Sequence, residues 1–240
     1  MKRILLMVLR NLFMVPWMWC RLCYHAKYPD KYTLEEHFLM LHEIVRRANK
    51  GGNITIKSYG EENLPKEDGF VMFPNHQGMY DVLAITAACQ RTYSVVAKKE
   101  IKDIPFLKQV FSCIHAYYID REDLRQSMQV IGEVANEVKA GKNFIIFPEG
   151  TRSKMGNKLL DFKGGTFKCA VKAGKPIVPV ALVNSFVPFD SHSIKEIIVE
   201  VHFLKPLYPE EYRSMKTSEI AQWAKSEIEK TIANSEAALW

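Results

Sequence analysis

The chain has 240 residues, the upper end of one ordinary domain, and a compact fold of that length buries roughly 70–75% of its unfolded surface. Hydrophobic residues at 48% and charged residues at 25% exclude a disordered chain, and 12 glycines with 11 prolines exclude collagen-like or low-complexity architectures. The net charge of +6 is concentrated early: residues up to Lys50 carry nine basic and four acidic side chains (+5), the remainder 24 and 23 (+1), which argues against a nucleic-acid surface spread over the fold.

The first element is apolar. From Ile4 to Cys20 the chain reads ILLMVLRNLFMVPWMWC, interrupted by Arg10-Asn11 and by Pro16. A spanning helix needs about 20 largely uncharged residues, and an arginine at its centre costs roughly 2.5–3.5 kcal/mol. A cleaved signal peptide fits poorly, because Arg10 splits the apolar core and no small-x-small site follows. At about 100° per residue, Arg3, Arg10 and Arg21 share a narrow sector while Leu, Met, Phe and Trp cover the rest. That pattern predicts a helix lying in the membrane interface, with Trp17 and Trp19 at headgroup level. Each basic residue near an anionic leaflet adds about 1 kcal/mol. The alternative is a helix packed on its own domain, and Pro16 allows a kink or two pieces.

A second helix follows. Thr33 and Glu36 have capping-box spacing, Leu34, Phe38, Leu41 and Val45 form an apolar stripe, and Gly51-Gly52 ends it. Residues 1–50 therefore read as an N-terminal amphipathic two-helix membrane-binding hairpin, and residues 51–240 as the main domain. There, strands are predicted at 54–59, 70–73, 93–97, 115–119, 143–147, 177–182 and 197–204. Helices are predicted at 82–90, 122–139, 165–173 and 217–233. Strands alternating with helices predict an α/β fold with a central mixed, largely parallel sheet flanked by helices. Chemistry in such sheets sits in the loops leaving the C-terminal ends of strands.

Two predicted strands run into unusual polar loops. The first is Asn75-His76-Gln77-Gly78-Met79-Tyr80-Asp81. A histidine held by a carboxylate is a general base, since the carboxylate fixes the tautomer and stabilises the imidazolium. Five residues along a helix separate side chains by about 140°, so His76 and Asp81 meet only if the chain turns around Gly78 before the helix begins. Otherwise Asp81 is an N-cap and His76 an ordinary loop residue. The second loop is Phe147-Pro148-Glu149-Gly150-Thr151-Arg152-Ser153. It offers a guanidinium fork for phosphate, hydroxyls, and a glycine whose backbone N–H an anion can approach. Its alternative is a polar turn with a surface Glu149–Arg152 ion pair worth under about 1 kcal/mol.

No GxSxG elbow, P-loop, GxGxxG or HExxH motif appears. Cys20, Cys23, Cys89, Cys113 and Cys169 are too scattered for a disulfide framework, and the lone Cys20-x-x-Cys23 has no second pair for zinc. No metal site is predicted.

NHQGMYD, then Tyr118-Ile119-Asp120-Arg121, then FPEGTRS, then Ile177-Val178-Pro179-Val180 resembles the glycerolipid acyltransferase family, specifically the 1-acyl-sn-glycerol-3-phosphate acyltransferases. Ala97-Lys98-Lys99-Glu100 and Phe162-Lys163-Gly164-Gly165 are also similar, and the resemblance spans about Phe70 to Ser185. It departs at Gly78, where many members carry serine.

The resemblance implies that His76, oriented by Asp81, takes the proton of the free sn-2 hydroxyl of 1-acylglycerol-3-phosphate. The hydroxyl then attacks the thioester of acyl-CoA or acyl carrier protein without an acyl-enzyme, giving phosphatidic acid. It implies Arg152 and Arg121 as holders of the acceptor's phosphate, with Glu149, Gly150 and Thr151 shaping that site. Lys98 would add positive potential, unless it is a solvated strand end. No cofactor is implied beyond the thioester co-substrate. The implied setting is the cytoplasmic face of the cell membrane, peripheral or monotopic, with the phospholipid bilayer and lysophosphatidic acid as partners and no nucleic acid. Two alternatives remain open. One is a related acyltransferase acting on glycerol-3-phosphate, dihydroxyacetone phosphate or a lysophospholipid; the other is a non-catalytic lipid-binding protein with the same fold.

Overall fold

A computed structural model describes residues 2–120 and 122–238 of the chain; Arg121, one of the predicted site residues, lies outside them. One seven-stranded sheet has the order β1-β7-β6-β2-β5-β3-β4. Its strands are β1 (Ile54–Tyr59), β2 (Val71–Pro74), β3 (Ser94–Lys98), β4 (Tyr117–Ile119), β5 (Phe144–Ile146), β6 (Ile177–Val183) and β7 (Ile197–Phe203). Strands β2 to β6 run parallel, β7 is antiparallel to β6, and β1 is parallel to β7. The sheet is therefore mixed and largely parallel, and all seven predicted strands are present with their ends shifted by no more than two residues.

Alternation along the central strands divides the core between two faces. Met72 and Ile145 point to one side, with Val178, Val180 and Leu182, and pack under the first five helices: α1 (Lys2–Arg10), α2 (Val15–Lys27), α3 (Leu34–Gly51), α4 (Asp81–Ala88) and α5 (Leu107–Cys113). Val71, Phe73, Phe144 and Ile146 point to the other side, under α6 (Leu124–Lys139), α7 (Lys168–Ala173) and α10 (Thr217–Ala233). The short helices α8 (Val187–Asp190) and α9 (Pro209–Tyr212) complete the chain. Helix α4 is apolar nearly all round, as a helix enclosed between α3 and the sheet must be. Helix α5 was not predicted: its seven residues give too short a periodic run to stand out.

The N-terminal hairpin is present with its first member in two pieces. Helices α1 and α2 meet at a 102° bend across the Asn11–Met14 break, just ahead of Pro16. Among the described residues no single helix is long and apolar enough to cross a membrane. The bend overturns the single-helix stripe of arginines. The Arg3 guanidinium is buried and donates to the carbonyl oxygens of Gly52 (2.5 Å), Ser193 (2.9 Å) and Lys195 (2.9 Å). Arg10 donates to Gly51 O and to Asn53 Oδ1, and Arg21 pairs with Glu43 across to α3. The C-terminal end of α3 exposes carbonyls with no helical partner, so guanidinium donors bind there and tack the first helices to the body of the protein. The helix that follows starts as predicted: Thr33 Oγ1 accepts from Glu36 N and Glu36 Oε2 accepts from Thr33 N, both halves of a capping box.

Candidate active site

β2, β5, β3 and β4 are neighbours and parallel, so the segments leaving their C-terminal ends line one edge of the sheet. That edge gathers the NHQGMYD loop after β2, the FPEGTRS segment after β5, Lys98 at the end of β3, and Asp120 just beyond β4.

The first loop is held open by its own side chains. Asn75, buried at the end of β2, donates from Nδ2 to Leu182 O (3.1 Å) and accepts at Oδ1 from Leu182 N (2.7 Å), so an amide continues the ladder to β6 after the backbone has turned away. The backbone N–H groups of Gln77 and Gly78 then point back at Asp81, which accepts them at 2.7 and 3.0 Å. Asp81 is the first residue of α4, yet it caps the preceding loop rather than its own helix, and this fold-back brings His76 to it. His76 Nδ1 donates to Asp81 Oδ2 at 2.7 Å. A carboxylate only accepts, so Nδ1 carries the ring proton and Nε2 keeps its lone pair. Asp81 is fully buried, His76 is part-exposed, and the imidazole stacks on Phe147 with ring centroids 4.1 Å apart. His76 Nε2 has no hydrogen bond among the described residues. A base with its donor side fixed and its acceptor side open is able to remove a proton from a neighbouring hydroxyl.

The second loop is tied to the first through backbone. Ser153 N donates to His76 O at 2.9 Å, which fixes Arg152 as the residue next to that junction. Glu149 is buried with its carboxylate turned inward: Oε1 accepts from His76 N (2.7 Å) and Oε2 from Leu160 N (2.9 Å). Burial pushes its carboxyl above the ordinary glutamate value, and the two N–H donors oppose that shift. Glu149 therefore shapes the site from beneath; it presents no carboxylate to a phosphate, and it forms no surface pair with Arg152. Arg152 is half-buried and forms no ion pair among the described residues, which leaves its donors available. Thr151 is exposed beside it. Gly150 has φ +72, the left-handed region that favours glycine. A Cβ there would lie 2.9 Å from the Lys163 ammonium, so the missing side chain makes room for a second cation at the loop.

The third predicted cation is committed elsewhere. Lys98 Nζ pairs with Glu100 Oε1 at 2.6 Å, and Lys99 with Asp120 at 2.5 Å, both at an exposed strand end. The register puts Lys98 beside Ile119, two residues before Arg121. Asn75 and Lys163 lie in blocks that the sequence singles out but without a role there, and the buried polar residues Asn157, Asn184 and Ser185 lie outside those blocks' predicted site. The signal for the last two is present in the sequence: IVPVALV runs straight into Asn184-Ser185, polar groups at the end of a wholly buried strand.

The acyltransferase family model matches residues 55–183. The 1-acyl-sn-glycerol-3-phosphate acyltransferase of Escherichia coli is 33% identical over 164 residues, covering 68% of this chain and 66% of that protein. The enzyme of the same description from Saccharomyces cerevisiae is 30% identical over 183 residues, covering 75% of this chain and 60% of its own length. The match thus spans slightly less than two thirds of those relatives. The crystal structure of the 1-acyl-sn-glycerophosphate acyltransferase PlsC from Thermotoga maritima superposes with a TM-score of 0.74 over 98% of both chains, at 24% identity, and shares the fold. This chain belongs to the acyltransferase family. Within that family, the relatives it resembles are the 1-acyl-sn-glycerol-3-phosphate acyltransferases.

Proposed function

We propose that the protein transfers a fatty acyl group from a thioester, coenzyme A or acyl carrier protein, to the sn-2 hydroxyl of 1-acylglycerol-3-phosphate, producing phosphatidic acid. One observation carries the reading: the 2.7 Å His76–Asp81 contact leaves Nε2 open, beside a loop that presents the uncommitted guanidinium of Arg152. Nε2 accepts the hydroxyl proton as the oxygen bonds to the thioester carbonyl. The tetrahedral intermediate collapses with loss of the thiolate, and the imidazolium returns the proton to sulfur. Asp81 keeps the ring in the required tautomer and stabilises the imidazolium. Arg152, with Arg121, holds the acceptor's phosphate, so phosphate affinity is converted into orientation of the hydroxyl.

The same reading places the protein on the cytoplasmic face of a bilayer. Leu5, Leu9, Leu12 and Phe13 of the first helix and its bend are exposed, Phe13 at 94%, and Trp17 and Trp19 follow on α2. A cluster of large apolar side chains facing outward marks an apolar environment. With Arg3 buried and Arg10 and Arg21 paired to groups of the protein, attachment rests on these apolar residues rather than on an outward basic stripe.

The test compares transfer of labelled acyl groups from both donors to 1-acylglycerol-3-phosphate by the unaltered chain, His76→Ala and Asp81→Asn. Both variants should lose about 10²–10⁴-fold in kcat; His76→Ala should keep the unaltered Tm, whereas Asp81→Asn leaves a buried donor without its acceptor and should lower it. A His76→Ala protein that turns over like the unaltered chain would remove histidine from the chemistry. An unaltered chain inactive with both donors would remove this acceptor.

A further inference from the structure

The one hydroxyl of the NHQGMYD loop, that of Tyr80, is turned to Asn49, and a buried serine more than a hundred residues away reaches the Asp81 carboxylate instead. Ser185 follows β6 and is 0% exposed. Its Oγ lies 2.6 Å from Asp81 Oδ1 and 2.8 Å from Gln77 Oε1, and its backbone N–H donates to that same Oε1 at 2.8 Å. Gln77 is oriented without ambiguity: Nε2 faces two acceptors, Asn157 Oδ1 (2.7 Å) and Leu182 O (3.0 Å), so Oε1 is the end that meets Ser185. A hydroxyl has one proton for two acceptors. The carboxylate is the charged and closer one, and Gln77 Oε1 already has the Ser185 N–H, so the hydroxyl proton goes to Asp81.

We infer that Ser185 is a positioning residue for the proposed reaction, acting on His76 through Asp81. The two carboxylate oxygens differ in their partners: Oδ2 alone takes His76 Nδ1 and Gln77 N, Oδ1 alone takes the Ser185 hydroxyl, and Gly78 N is shared between them at 3.1 and 3.0 Å. The hydroxyl fixes the rotation of the carboxylate about its own axis, which is what aims Oδ2 at the ring. It also draws negative charge toward Oδ1, which tempers how strongly Asp81 stabilises the imidazolium. Partners that hold the ligands of metal sites from one layer behind govern activity by about 10–100-fold, and a hydroxyl that aims the carboxylate of a His–Asp pair stands in the same relation to it. Space beside Gly78 is already filled, since a Cβ there would come within 3.1 Å of Phe186 Cα and 3.5 Å of Ser185 O. A hydroxyl from β6 thus reaches a carboxylate that the loop itself does not supply with one.

This inference rests on the acyltransferase reading for its kinetic arm and is independent of it in its second arm. Ser185→Ala should lower kcat about 10- to 100-fold with the KM of both substrates unchanged. It should also move the acid limb of the kcat/KM profile to higher pH, because a carboxylate that has lost a donor holds the imidazolium more firmly. Glu149, which faces the pair from the β5 segment, Arg152 at the His76–Ser153 junction and Asp190 of α8, which lies beside Gly78, are unaltered in the variant. Ser185→Thr retains the hydroxyl and should restore most of the rate and the original limb. The second arm follows the His76 ring signals by NMR during titration, identified by their loss in His76→Gln. Their midpoint should rise in Ser185→Ala, return in Ser185→Thr, and be insensitive to Ser185→Ala once Asp81→Asn is present. Equal losses in the Ala and Thr variants with an unmoved midpoint would make Ser185 a packing residue and overturn the inference, as would an unchanged kcat in Ser185→Ala. An unaltered chain without transferase activity, combined with a shifted midpoint, would overturn the functional reading while supporting the Ser185 coupling.

Discussion

At the scale of single residues the site separates charge that is committed from charge that is free. Lys98 and Lys99 already face Glu100 and Asp120, Glu149 is closed off by two backbone N–H groups, and Arg152 forms no ion pair among the described residues. Arg152→Ala should therefore raise the KM for the phosphate-bearing acceptor about 10-fold or more, the worth of one charge-assisted contact, with the larger effect on KM than on kcat. Initial rates with varied acceptor check this, and a phosphate-free lysolipid should be indifferent to the substitution. Glu149→Gln should behave differently. The amide offers one acceptor where the carboxylate offers two, so either His76 N or Leu160 N loses its partner, at about 1–3 kcal/mol. A thermal scan should register that as a fall of roughly 2–10 °C, and slowed turnover would follow from disorder in the loop. The residue pair His76 and Asp81 was legible from the loop composition. Their contact was not, because spacing alone also allowed an N-cap, and only the turn around Gly78 decides between the two.

At the scale of elements, the N-terminal hairpin departs furthest from its sequence pattern. Helical periodicity predicted three arginines on one outward sector, yet the break at Asn11–Met14 resets the phase, and each guanidinium finds acceptors on the protein instead. Arg3→Met should leave several carbonyls at the end of α3 and before β7 without a donor. The expected loss is about 3 kcal/mol, or roughly 6–12 °C in Tm, read by calorimetry.

The hairpin also carries a pH dependence. His37 Nε2 donates to Pro29 O at 3.0 Å, so its Nδ1 accepts from His25 Nδ1 at 3.1 Å; His25 stacks on Tyr32, and His115 approaches His37 from the segment before β4. Burial first, and the neighbouring His37 next, hold His25 and His115 below the ordinary value of 6.5, against weaker opposing pulls from Glu36 and Asp30. For a base whose folded value is lowered, stability is complete above the unfolded value and is lost as pH falls toward the folded one. Protection of the amides across residues 28–37, which is deuterium uptake corrected for the intrinsic exchange rate at each pH, should thus fall as pH drops below about 6.5, and less steeply in His25→Asn. A flat response in the unaltered chain would show that the rings do not govern the hairpin.

At the scale of the whole molecule, the hairpin and the sheet share one core. Met7, Met18, Leu22, Phe38 and Leu41 pack in the same cluster as Met72, Val180 and Leu182. A chain starting near residue 50 should therefore lose cooperative unfolding altogether, so truncation is a poor probe of membrane attachment. The exposed side chains are the better one. Leu12→Ser with Phe13→Ser removes apolar surface that faces away from the protein, each worth about 1.5–3 kcal/mol in an apolar medium. The double variant should keep the unaltered Tm and fall at least about 100-fold in partitioning to anionic phospholipid vesicles, measured by sedimentation. Unchanged partitioning would move attachment to another face.

The sequence by itself determined the seven strands and helices α4, α6, α7 and α10 of the main domain, and the family, but not the short helices α5, α8 and α9. Seven apolar runs of strand length, separated by helical periods and punctuated by two polar loops, allow little besides a largely parallel sheet with those loops at one edge. Those are local properties, written in consecutive residues. Tertiary structure alone decided the rest. It set the order of the strands, reversed β1 and β7, split the first helix, buried Arg3, paired Arg10 and Arg21 with groups of the protein and brought Ser185 to Asp81 across 104 positions of sequence. Each of these depends on which carbonyl or carboxylate lies nearby in space, and for a buried donor that proximity outweighs the periodicity of its own segment.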